Sequence, residues 1–204
     1  MDSPAPAPRL TGLLLAAGAG RRMGGPKALV APAGEDPWIV RSARLLLAAG
    51  CDEVVVVLGA EATAAEALLR RQVPAGSAAL RTVVAEAWSD GLGASLRAGL
   101  TALLNDPPAA VLITLVDLPW LRVEAARRVL EHGGAPHPRS LRQAIYGGRP
   151  GHPVLVGADH LGPLAASLEG DVGARPYLAA HGVELVDCSD LGGGDDVDEL
   201  PPRS

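Results

Sequence analysis

The chain has 204 residues and a formal charge of −5, with 48% hydrophobic and 20% charged residues, which excludes a disordered polymer and predicts one globular domain. The acidic balance argues against nucleic acid as the main partner, and no apolar run approaches the roughly 18 residues a membrane helix needs. Two cysteines, Cys51 and Cys188, show no metal-ligand spacing, and Met1-Asp2-Ser3-Pro4 lacks a basic, apolar leader, so the expected setting is a reduced cytoplasm.

Residues 1–8 are Pro/Ala-rich and read as a frayed, disordered tail before a domain spanning 9–204. Leu10–Ala17 reads as a buried strand running into a glycine-rich loop. Apolar spacing at Ile39, Val40, Ala43, Leu46 and Leu47, with Gly50 as the stop, predicts a helix over 37–49. Asp52–Leu58 (DEVVVVL) is a β-branched strand, apolar enough to be buried on both faces. A helix over 61–72, a strand over 80–84 and a helix over 92–104, with Leu92, Leu96, Leu100 and Leu103 in one stripe, follow in turn. A strand over 109–116 and a helix over 123–131 complete a strictly alternating series. That alternation predicts an α/β fold: a single Rossmann-like, doubly wound, mostly parallel sheet with helices on both faces. Beyond Ser140 the Arg/Gly/Pro-rich texture around Tyr146–Pro153 predicts a hairpin-like excursion over the sheet edge. Helices over 158–168 and 173–180 and a strand over 183–188 finish the chain.

The single lysine, Lys27, stands against seventeen arginines and ends the loop Gly18-Ala19-Gly20-Arg21-Arg22-Met23-Gly24-Gly25-Pro26-Lys27. A compact ammonium suits a phosphate oxygen in a tight space where a planar guanidinium does not. No acid occurs between Ser3 and Gly34, so the loop is locally cationic. Two familiar phosphate motifs fail here. Gly18, Gly20 and Gly24 give G-x-G-x-x-x-G, one residue too many for the dinucleotide fingerprint, and the second strand ends Val57-Leu58-Gly59 without a ribose-holding acid. The P-loop pattern breaks at Pro26 and at Ala28, where a hydroxyl should follow the lysine. What remains is a run of backbone N–H groups with Arg21, Arg22 and Lys27, a cradle for a triphosphate. Asp117, at the exit of the apolar run 109–116, sits where α/β sheets place ligand-binding groups. It can hold a magnesium ion on a triphosphate or simply cap the following helix.

The run Leu15–Lys27, LAAGAGRRMGGPK, resembles the signature of the MobA-like NTP transferase group. Further elements point to its molybdenum cofactor cytidylyltransferase branch. They are WSDGLGASLRAGL (88–100), Asp117-Leu118-Pro119, Gly151-His152-Pro153, GDVGAR (170–175) and Asp196-Val197-Asp198. The resemblance implies a cytoplasmic, bacterial, Mg²⁺-dependent nucleotidyltransferase that moves NMP from an NTP, CTP foremost, to molybdopterin. Guanylyl transfer to that cofactor, or to phosphoenolpyruvate or phospholactate, is the close alternative, and an NAD-binding oxidoreductase is the reading from another class. A molybdoenzyme or maturation factor is the implied protein partner.

The resemblance also carries residue roles. Arg22, Lys27 and Asp117 are the catalytic set. Leu15, Ala16, Ala17, Gly18, Gly20, Arg21, Lys27, Gly91 and Ser95 contact the nucleotide. His152, Asp171 and Arg175 contact the acceptor. Asp117 holds the metal with Asp198, or with Asp196; a solvated acidic tail explains the latter pair equally well. Likewise Asp171 reads equally as a helix cap. Relatives often place asparagine near Ala85, and alanine cannot bond a base, which leaves the choice of base open.

Overall fold

Seven strands form one sheet in the order β3-β2-β1-β4-β6-β5-β7 in the computed structural model, which describes residues 9–73 and 79–197. The strands are β1 (Leu10–Ala16), β2 (Glu53–Leu58), β3 (Ala79–Val84), β4 (Ala110–Leu115), β5 (Leu141–Tyr146), β6 (Arg149–Gly157) and β7 (Glu184–Asp187). All run parallel except β6, which is antiparallel to both β4 and β5. The helices are α1 (Trp38–Ala49), α2 (Ala62–Gln72), α3 (Leu92–Thr101), α4 (Val123–Glu131), α5 (Ala158–Ser167) and α6 (Arg175–Ala180).

Side chains on successive strand residues point to opposite faces, and the central strands are apolar on both. Leu14, Val54, Val56 and Leu112 face one core layer, beneath α1, α2 and α4; Leu13, Val55, Val57, Val111 and Ile113 face the other, beneath α3 and α5. A helix layer therefore covers each side of the sheet. Without phenylalanine, both cores are built from leucine, valine and alanine, and each fully buried Leu or Val contributes about 1.5–3 kcal/mol. Gly99 lets α3 lie close on the sheet: a Cβ there would stand 2.7 Å from Val57 Cγ2.

The alternating series predicted through residue 131 is present, with boundaries shifted by up to three residues. The segment after Ser140 differs. It is not an excursion over the edge: the Gly147–Gly148 turn joins β5 and β6, and both enter the main sheet, β6 between β4 and β5. Turn-forming glycine and proline at 147–153 hid a strand that carries Pro150 and Pro153. Arg142 of β5 is buried, and its Nη1 donates to the carbonyls of Leu130 (2.6 Å) and Val129 (3.3 Å), satisfying the C-terminal turn of α4. Residues 1–8, expected as a tail, lie outside the described residues, as does Asp198.

The chain leaves β1 toward β2 on one side and returns after α3 to β4 on the other. The switch point therefore lies between the C-terminal ends of β1 and β4, where a crevice opens.

Candidate active site

The glycine loop leaves β1 at this crevice and is folded against itself. The amides of Met23 and Gly25 donate to the Gly20 carbonyl (2.9 and 3.3 Å), and short 3-10 turns occupy Arg21–Met23 and Lys27–Leu29. Gly20 is required twice over: its φ is +55°, and a Cβ would stand 2.0 Å from the Gly25 carbonyl oxygen. The amides of Gly18 and Ala19 have no backbone carbonyl partner among the described residues, and both residues line the cleft.

Across the opening, the C-terminal end of β4 presents Asp117. Its Oδ2 accepts from Lys27 Nζ at 2.9 Å, with the two side chains 22% and 15% exposed. Its Oδ1 is buried and has no hydrogen-bond partner among the described residues. An ionised carboxylate with one oxygen on an ammonium and the other orphaned has a strong electrostatic demand for a cation. Among the described residues no three acidic, histidine or cysteine side chains converge, so the protein contributes no all-protein cage. That donor set fits magnesium, which keeps several waters and binds through one or two carboxylates together with substrate phosphates.

The cleft between these groups measures about 490 Å³ and is lined by Leu15, Ala17–Arg22, Lys27, Trp88, Ser89, Gly91, Leu92, Ser95, Leu115–Asp117 and Asp171. Most of the residues assigned to the nucleotide are therefore brought together. Ala16 is not: it faces the core beneath α1. Ala85 is also buried in the core and does not line the cleft.

The N-terminal amides of α3 are largely committed within the protein. Asp171 Oδ1 accepts from Leu92 N at 2.9 Å, and the Gly170 carbonyl accepts from Ala94 N at 3.2 Å. Asp171 thus caps α3 from a distant loop rather than opening α6, which begins at Arg175. The loop can approach because Gly91 has no side chain; a Cβ there would meet Asp171 Oδ1 at 2.6 Å. Leu92, the first residue of the predicted stripe, is 39% exposed at the cleft instead of buried. Arg175 is exposed and, like His152, is outside the cleft lining.

His152 nevertheless approaches the site from β6. Its Nδ1 donates to the Ile113 carbonyl at 3.3 Å, and burial holds its pKa below the usual imidazole value, partly offset by that bond and by the charge of Asp117. The other histidines have structural surroundings: His160 and His181 pack on Tyr177, between α5 and α6.

Sequence reasoning missed Ala19, Ser89, Leu115 and Val116 as cleft residues. Each lies inside a motif already singled out, so adjacency to the motif was the available signal. Trp88 lines the cleft wall beside Gly59, where a Cβ would stand 2.6 Å from the indole.

A curated relative, the nicotine blue oxidoreductase of Paenarthrobacter nicotinovorans, is 39% identical over 95% of this chain and 94% of its own. Among solved structures, a nucleotidyl transferase from Methanothermobacter superposes with a TM-score of 0.74 at 25% identity, over 94% of this chain and 92% of that one. Rv0371c of Mycobacterium tuberculosis superposes with a TM-score of 0.71 at 27% identity, over 95% and 94%, and it has also been solved in complex with manganese. The MobA-like NTP transferase domain model matches residues 12–185, and the chain belongs to that family of nucleotidyltransferases.

Proposed function

We propose that this chain transfers a cytidine monophosphate unit from CTP to the phosphate of a molybdopterin-type cofactor, releasing pyrophosphate in a Mg²⁺-dependent reaction. The observation that carries the reading is the Lys27–Asp117 pair facing across the switch-point cleft, with Asp117 Oδ1 left without a partner among the described residues. An acceptor phosphate is already ionised at neutral pH, so attack on the α-phosphorus needs no general base. Positioning and charge neutralisation supply most of the barrier lowering.

The glycine-loop amides of Gly18 and Ala19 bind phosphate oxygens, and Lys27 and Arg22 take up the charge of the departing pyrophosphate. Lys27 can shift from Asp117 to a phosphate when the nucleotide enters. Asp117 holds the magnesium ion, which neutralises the triphosphate when bound; Asp198 is proposed as a second carboxylate on sequence alone. His152, beside Asp117, and Arg175 and Asp171 are assigned to the acceptor side.

The experiment is a thermal-shift and pyrophosphate-release screen of CTP, GTP, ATP and UTP with Mg²⁺, with molybdopterin, phosphoenolpyruvate and phospholactate as acceptors. Release with CTP and molybdopterin supports the proposal, while release with GTP and any of these acceptors selects the guanylyl alternative. A second reading is an NAD-binding oxidoreductase; the Paenarthrobacter relative, an oxidoreductase, favours redox chemistry without saying which cofactor serves it. Stabilisation by NAD(P)H and by no triphosphate would select it.

A further inference from the structure

The described chain beyond β7 returns to Asp117 along a narrow path. Val197 N donates to the Asp117 carbonyl at 2.9 Å, and the Val197 side chain is buried. Between β7 and that bond lies Gly192-Gly193-Gly194-Asp195-Asp196, and two of its glycines pass where a side chain has no room. A Cβ on Gly193 would stand 2.1 Å from the Trp120 carbonyl oxygen, and one on Gly194 would stand 2.3 Å from Tyr146 Cδ2. The Tyr146 ring is itself held. Gly151 lies against the same ring edge, with a Cβ there 3.1 Å from Cδ2, and the phenol donates to the His152 carbonyl at 3.0 Å. Tyr146 therefore joins β5, β6 and the returning segment beside the one carboxylate that the cleft presents from β4.

We propose that Gly193, Gly194 and Tyr146 are positioning residues for the cation site at Asp117: the glycines let residues 192–197 seat on Tyr146, and that seating holds the Val197 amide on the Asp117 carbonyl and so fixes the main chain that carries the carboxylate. This rests on the assignment of a divalent cation to Asp117. A loose polar tail would need neither the buried Val197 nor the bond to the Asp117 main chain. Three glycines in a row are costly to order, and Trp120 and Tyr146 leave no room to replace two of them.

The test is Mn²⁺ binding to the full chain without nucleotide, followed by electron paramagnetic resonance, together with metal-free CTP binding and thermal unfolding. Asp117→Ala abolishes Mn²⁺ binding. Gly194→Val weakens it about tenfold, the usual loss when a supporting partner of a metal ligand is disturbed. Metal-free CTP affinity stays within twofold of the parent. In Gly194→Val/Tyr146→Ala the seating is already lost through the ring, so Mn²⁺ affinity falls no further than in Tyr146→Ala alone. If Gly194→Val does not fold, Gly194→Ala and Tyr146→Ala alone carry the comparison, and each must weaken Mn²⁺ more than CTP. The inference is overturned if the folded glycine variants bind Mn²⁺ as the parent does, or if the two losses simply add in the double variant. Should Asp117→Ala itself bind Mn²⁺ normally, the cation assignment fails and the positioning role with it; loss in Asp117→Ala alone removes only the positioning role.

Discussion

Replacing Lys27 with methionine keeps the length and apolar stem of the side chain while deleting its charge. At 2.9 Å and an effective dielectric constant of about 20, the gross attraction between Lys27 and Asp117 is roughly 6 kcal/mol. Removing both groups from water cancels most of this, and the cleft still wets them, so the ground-state pair is worth no more than about 1–2 kcal/mol. In the proposed role its catalytic weight is larger, because pyrophosphate gains charge as it departs and a fixed ammonium would meet that charge without reorganisation. Removal of one such group costs about 10²–10³ in kcat, or roughly 2.7–4 kcal/mol. The assay is single-turnover pyrophosphate release from CTP with Mg²⁺ and acceptor, alongside CTP binding. Lys27→Met should lose at least about a hundredfold in kcat with a far smaller change in affinity. Lys27→Arg should not recover it, since a planar fork cannot replace a point charge beside Pro26 and Gly25. A Lys27→Met enzyme within threefold of the parent rate would refute the reasoning. So would a defect confined to KM, since that would show a contact made equally in the ground state and the transition state.

Gly20→Ala should abolish pyrophosphate release, because its Cβ falls on the Gly25 carbonyl and a positive φ adds strain; circular dichroism should show the sheet intact. Asp171→Ala should lower stability by about 1 kcal/mol in urea unfolding through loss of a cap on α3, and Asp171→Asn should keep most of it. The His152 imidazole is harder to protonate folded than unfolded, so the unfolded chain binds more protons as pH falls through about 6.5. Stability should therefore decline from there toward the lower folded pKa, and His152→Gln should flatten that decline in denaturant midpoints measured between pH 7.5 and 5.

The half of the fold that builds the nucleotide side was legible because its signals are local. Runs such as Val54–Leu58 and Val111–Leu115 are too apolar to be anything but buried strands, and each strand of this half is separated from the next by one helix. Beyond Ser140, α5, α6 and β7 were legible too, but the β5–β6 pair was not, because β6 starts with Arg149-Pro150-Gly151, residues that read as a turn. Only pairing with β4 and β5, which are non-local, makes it a strand. The same distinction holds in the site. Lys27 and Asp117 were each found from their own neighbourhoods, and their convergence follows from the parallel order of β1 and β4. The role of Asp171 was hidden, because a cap supplied to α3 from a loop 79 residues later leaves no periodic trace. The steric reason for Gly193 and Gly194 was hidden too, since Tyr146 and Trp120 are their obstacles only in the folded chain.

The family assignment and the name of the Paenarthrobacter relative pull toward different chemistries, and a shared fold cannot arbitrate between them. The Lys27–Asp117 pair can. A hydride transfer needs a nicotinamide face presented to a flat acceptor and a dry wall behind it. It has no use for an ammonium and an orphaned carboxylate oxygen at the phosphate end, and keeping both there costs desolvation free energy. Phosphoryl chemistry uses both groups, the ammonium on departing charge and the carboxylate on a cation. Gly59 adds a second argument. The position that would hold a dinucleotide ribose is packed by Trp88 and by the Ala17 carbonyl, 2.6 Å from where a Cβ would stand, so no acidic side chain can occupy it. Redox activity in this cleft would have to proceed without either device, and Asp117→Asn distinguishes the cases: it should eliminate pyrophosphate release and leave any NAD(P)H oxidation untouched.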